Sequence, residues 1–117
     1  MRSETTIAAA VRIDAREFGA ALILRVSGAA TDGLADDFRR ELARIPAPNA
    51  IVVLDMEEMT EISSLVLGAL MEFRHRLRRR RRELRVANVR AEVWSAFVAV
   101  RLDEMFPKFD SVEEAAR

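Results

Sequence analysis

Ser63 and Ser64 follow directly on a stretch carrying Glu57, Glu58 and Glu61, and directly precede apolar residues at helical spacing. A serine at such a junction can cap a helix, where orphan N–H groups and the positive end of the dipole favour an oxygen acceptor or an anion. The same hydroxyl, accessible and held on a rigid base, can equally be a site of phosphorylation. A second constellation is Arg74-His75-Arg76-Leu77-Arg78-Arg79-Arg80-Arg81-Arg82, seven arginines in nine residues. Cations suit a helix C-terminus, and Glu72 stands one turn before Arg76, so a solvated helix end is one reading and a patch for an acidic partner the other. Nucleic acid is not expected there, because neither stacking aromatics nor a groove-reading helix lies beside it. The third, Val93-Trp94-Ser95-Ala96-Phe97-Val98-Ala99-Val100, reads as core packing or as an exposed contact face, with Trp94 a partly buried packing residue.

Catalysis finds little to build on. Asp55, Glu57, Glu58 and Glu61 are carboxylates close in sequence, yet acid–base work needs a concave site and environments that split their pKa values. His75 is the only histidine and there is no cysteine, which excludes disulfides, thiol nucleophiles and thiolate or multi-histidine metal clusters. No enzyme activity, cofactor or metal is therefore expected. The 117 residues carry 19 basic and 19 acidic side chains, so no net charge draws the whole molecule to nucleic acid or anionic lipid.

The elements that must position these groups follow from periodicity. Val11, Ile13 and then Ala20 to Val26 read as two strands around a turn near Gly19, after a frayed tail over residues 1–6. Gly28 and Thr31-Asp32-Gly33 mark the next boundary. Leu34, Phe38, Leu42 and Ile45 recur at helical spacing, with Asp36 four residues before Arg40, and Pro46 and Pro48 end that helix. Ala50 to Leu54 is a strand buried on both faces, expected centrally in the sheet. Asp55 to Ile62 reads as an acidic connection, and Val66, Ala69, Leu70, Phe73 and Leu77 mark the helix that runs to the arginines. Leu84 to Val89 is a strand, Glu92 to Val100 a helix, and Ser111-Val112-Glu113-Glu114 a capping box before a short last helix. This order predicts a single α/β domain over residues 1–117, a mixed sheet of four to five strands packed against about four helices.

Leu54-Asp55-Met56, Thr60, Ile62-Ser63-Ser64, Leu67-Gly68 and Leu70 resemble, without a gap, the signature of STAS domains of the anti-sigma factor antagonist type. The resemblance extends to Val26-Ser27-Gly28, Ala87-Asn88-Val89, Leu102 to Pro107 and Phe109 to Ala115, nearly the whole chain. It implies that Ser64 is the phosphate acceptor, with Ser63 second in order. It also implies that Asp55, Glu58, Thr60, Glu61, Ser63, Ser64, Leu65 and Asn88 form the partner-binding surface. Ser63 stands where the family has aspartate, Leu65 where it has a second serine, Val66 where it has glycine, and Thr31 where an early aspartate is usual. Loss of the glycine makes the start of the helix stiffer and more apolar. The implied partner is an anti-sigma factor with a GHKL-type serine kinase fold. The alternative is a non-switching STAS scaffold subunit of a stress-signalling or lipid-transport assembly. A cytoplasmic location without membrane insertion is expected, and a weak homodimer is left open.

Overall fold

The computed structural model describes residues 11–46 and 48–117. The tail expected over residues 1–6 lies outside them. Strands β1 (Val11–Phe18) and β2 (Ala21–Ala30) form an antiparallel hairpin. Its two-residue turn is made by Gly19 at φ 60° and Ala20, and Gly19 takes that φ at no Cβ cost. A single 3₁₀ turn (Asp32–Leu34) leads into helix α1 (Ala35–Ala43), followed by β3 (Ile51–Ile62) and α2 (Ser64–Arg79). Then come β4 (Glu83–Ala87), α3 (Ala91–Ala99), β5 (Lys108–Phe109) and α4 (Val112–Ala115). The five strands lie in sequence order, β2–β3, β3–β4 and β4–β5 all pairing in parallel, so β3 is the central strand as its unbroken aliphatic run predicts.

Alternation along β2 and β3 sends residues to two unequal cores. Leu22, Leu24, Val26, Val52, Leu54 and Met56 face the larger one, closed by Phe38 and Leu42 of α1, Val66, Leu70 and Phe73 of α2 and Phe97 of α3. Ala21, Ile23 and Val53 face the smaller one, closed by Val112 and Ala115 of α4. Each fully buried Leu, Ile or Val stabilises the fold by about 1.5–3 kcal/mol relative to exposure.

The sequence reading is corrected at several boundaries. The stretch Asp55 to Ile62, expected as a connection, is the second half of β3 and stays paired with β2. Two register shifts hide it: Arg25 pairs with Asp55 but Ser27 with Glu58, and Gly28 pairs with Met59 but Ala29 with Glu61. Each inserts a residue, so buried Met56 and Met59 are three apart and no period of two survives. Gly28, expected at a boundary, lies inside β2 at the second shift, with φ 104°. β4 ends at Ala87 rather than Val89, because Asn88 turns to φ 60°. It stops opposite Asp55, so Met56 to Ile62 have a strand neighbour on one side only. Glu72 pairs with Arg39 of α1 at 2.9 Å, not with Arg76, and this hydrogen bond holds the Arg39 guanidinium pKa above its ordinary value. Asp36 pairs with Arg39, and Arg40 with Asp37, each three residues apart on α1 rather than four.

Candidate functional site

At the end of β3 the chain is fastened to both of its neighbours. The Ser63 N–H donates to the Ala30 carbonyl at 2.8 Å, closing the β2–β3 ladder, and its own carbonyl accepts the first helical bond from Leu67 at 3.0 Å. Its side chain, in extended backbone, accepts from the Val66 N–H at 3.2 Å and caps α2. Ser63 is therefore a junction held from three directions, and its hydroxyl is engaged. Ser64 is the first helical residue, exposed, and no side-chain hydrogen bond ties it among the described residues. Of the two serines, Ser63 is the cap, and the Ser64 hydroxyl makes no hydrogen bond among the described residues.

Leu65 projects beside it with 54% of its surface exposed, whereas Val66 is fully buried in the large core. The apolar character added to the surface at the start of the helix comes from Leu65 alone. Thr60 and Glu61 are exposed on the preceding strand, Thr60 Oγ1 lying 3.3 Å from the Gly28 carbonyl.

The remaining expected residues form a separate network. Asp55 is 2% exposed, and its carboxylate accepts from Asn88 Nδ2 at 3.1 Å and from the Glu57 N–H at 3.2 Å, with Arg25 Nε 3.5 Å from its second oxygen. Arg25 reaches on to Glu58 at 3.5 Å, and Arg90 Nε donates to the Glu57 carbonyl at 3.0 Å. Asp55, expected on the partner surface, is turned inward because it neutralises Arg25 and satisfies the N–H exposed by the first register shift. Arg25 and Arg90 were missed by sequence reasoning. Arg25 is the parallel partner of Asp55, a relation visible only once the register is known.

The arginine run also divides. Arg74 Nε donates to the Met105 carbonyl at 2.8 Å, and Arg76 donates at the end of α1 to the carbonyls of Leu42 at 2.8 Å, which also accepts from the Ile45 N–H at 3.2 Å, and of Ala43 at 3.2 Å. Burial, and the charges of Arg78 and Arg80 respectively, hold these two guanidinium pKa values below their ordinary level. Arg82 bridges the carbonyls of Arg80 and Pro48. Arg78 to Arg81 are exposed. On α3, Val93 and Phe97 are buried and half-buried Trp94 stacks on Phe97 at 5.0 Å, while Val98 and Val100 face outward. The helix serves both core and surface. Among the described residues no cluster of carboxylates and histidine could hold a metal ion, and no helix is long and apolar enough to cross a membrane.

A model of the STAS domain family matches residues 12–115. A search among curated proteins returns no sequence match. Among solved structures, an anti-sigma factor antagonist from Mycobacterium paratuberculosis superposes with a TM-score of 0.78 at 16% identity, covering 90% of each chain. The anti-sigma factor antagonist SpoIIAA in its unphosphorylated form superposes with a TM-score of 0.73 at 13% identity, over 89% of this chain and 92% of that one. A sulfate transporter family protein from Wolinella succinogenes gives 0.71 at 22% identity, over 83% and 82%.

Proposed function

The chain belongs to the STAS domain family, and from that premise we propose that it is an anti-sigma factor antagonist, docking an anti-sigma factor of GHKL-type serine kinase fold through the Ser64 end of α2. One observation carries this reading: Ser64 is exposed at the first turn of a helix whose cap is supplied by its neighbour, so it can be modified without loss of the cap. Leu65 and the exposed Thr60 and Glu61 extend the contact surface around it. Asp55, Asn88 and Glu58 set that surface in place from behind.

In this reading unmodified Ser64 permits docking, and the antagonist sequesters the anti-sigma factor so that the sigma factor is released. Phosphate on Ser64 brings about −1.5 to −2 charges to a surface that already carries Glu57, Glu58 and Glu61, and docking then costs desolvation and like-charge repulsion. The positive end of α2 offsets part of that charge in the free domain, so the switch requires only a changed surface. The domain acts in the cytoplasm as a kinase substrate and catalyses nothing itself.

A second reading keeps the fold without the switch, as a scaffold subunit. It is favoured by the exposed Leu65 and by Ser63, whose hydroxyl occupies the capping role at the position where the family has aspartate. The test is phosphopeptide mapping after incubation with ATP and each GHKL-type kinase of the source organism, with pull-downs of the same kinases. Label is expected on Ser64 and lost in Ser64→Ala, which still docks, while Ser64→Asp binds more weakly. If no kinase binds or modifies the chain, or if Ser64→Asp binds as well as the unaltered protein, the switch is rejected in favour of the scaffold.

A further inference from the structure

Seven of the nineteen basic residues lie between Arg74 and Arg82 with no acidic residue among them, leaving twelve basic side chains to face nineteen acidic ones elsewhere. Positive charge is thus concentrated locally, and α2 sets the arginines about 20 Å from Ser64, at 1.5 Å per residue. The arginines also border a concavity. Between the end of α2, the start of β4 and the segment before β5 lies a recess of about 460 Å³, walled by Arg74, Arg78, Arg81 and Arg82 and floored by Leu84 and Met105.

Two of these guanidinium groups are already positioned. Arg74 is fixed by the Met105 carbonyl, and Arg82 by those of Arg80 and Pro48, bonds that hold the side chains without neutralising them. Arg78 and Arg81 are exposed, and among the described residues no ion pair joins any of the four to a carboxylate. Two carboxylates share the wall, but Glu83 is held by both oxygens against Arg85, so Glu104 is the one left to face the arginines. Four cations against two anions in a recess of small-ligand size leave an excess positive charge that one compact, multiply charged oxyanion can balance. A chain of phosphates fits that description, since guanidinium groups bind it bidentately and it concentrates several charges in a short length.

We propose that the recess between Arg74, Arg78, Arg81 and Arg82 is a binding site for a small oligophosphate, either free or as the phosphate chain of a nucleotide. Arg74 and Arg82 form its preset wall, and Arg78 and Arg81 close on the ligand from solvent. The site is independent of Ser64 and of the reading given to that end of the molecule.

Isothermal titration of the full chain with sodium tripolyphosphate tests it. Binding is expected that weakens as ionic strength rises, because exposed cations are screened. The double variant R78Q/R81Q should lose affinity by about tenfold or more, and R79Q/R80Q, with the same charge change outside the recess, by less than about threefold. Both should keep the thermal midpoint of the unaltered protein, since none of these four side chains donates a hydrogen bond among the described residues. Parallel titrations with ATP and adenosine distinguish the sources: equal affinity for ATP and tripolyphosphate assigns the site to the bare phosphate chain, and tighter ATP binding to a nucleotide. No binding of either phosphate chain at low salt would overturn the proposal. So would an equal loss in the two double variants, which would mean a diffuse positive surface, or sulfate binding as tightly as tripolyphosphate.

Discussion

The two ends of α2 use polar side chains in opposite ways. At its start, a capping serine and a buried carboxylate network hold the backbone, and the groups left over for a partner, Ser64 and Leu65, make few contacts of their own. At its end, Arg74, Arg76 and Arg82 are themselves the fastening, donating to carbonyls of the segments before β3 and β5. A run of seven arginines is therefore not one feature. Those whose guanidinium reaches a backbone carbonyl of another segment stabilise the fold, and those that reach only water leave charge available for binding.

The sharpest challenge to that contrast is Asp55→Ala. It leaves Asn88 and the Glu57 N–H without their acceptor in a part-buried setting and Arg25 with Glu58 alone, and about 3 kcal/mol of stability should be lost in urea denaturation. A loss below about 1 kcal/mol would mean that water replaces the carboxylate and that the outer half of β3 needs no such anchor. Next in size is Arg76→Met, which takes the guanidinium away from the Phe73 ring, leaves the Ala43 carbonyl without a donor among the described residues and leaves the Leu42 carbonyl to its backbone donors alone. About 2 kcal/mol is expected by the same measurement, and an unchanged midpoint would return Arg76 to the class of merely solvated arginines. Smallest is Ser63→Ala, expected to cost about 1 kcal/mol through loss of the cap. Circular dichroism melts would show it, and a larger loss would make Ser63 part of the structural anchor instead of a local cap.

How far the sequence discloses this arrangement depends on the range of the interaction. A continuous apolar run, the 3.6 period and a capping box are local, and they mark the strand expected over Ala50 to Leu54, the core face of α2 and the cap at Ser111, whose hydroxyl accepts from Glu114 N–H at 3.1 Å. The capping at the start of α2 is equally local and was legible as a choice between two serines. The outer half of β3 was not, because two inserted residues erase the alternation and its pairing partner lies some thirty positions away in β2. The inward turn of Asp55 and the carbonyl partners of Arg74, Arg76 and Arg82 were hidden for the same reason: each depends on a contact 30 or more residues distant. β5, two residues long, carries too little pattern to be read at all.

The early end of β4 has a consequence in time as well as in space. Amides of Val52 to Leu54 sit between two strands and exchange with solvent deuterium only when the domain opens as a whole, whereas from Met56 to Ile62 those that point away from β2 meet no strand and need only a local fluctuation. The central strand is therefore expected to pass from slow exchange to faster exchange within a dozen residues. The fast half leads directly to Ser64, so a protein that settles on that end slows exchange there while leaving the slow half untouched, and the strand itself reports whether its tip is occupied.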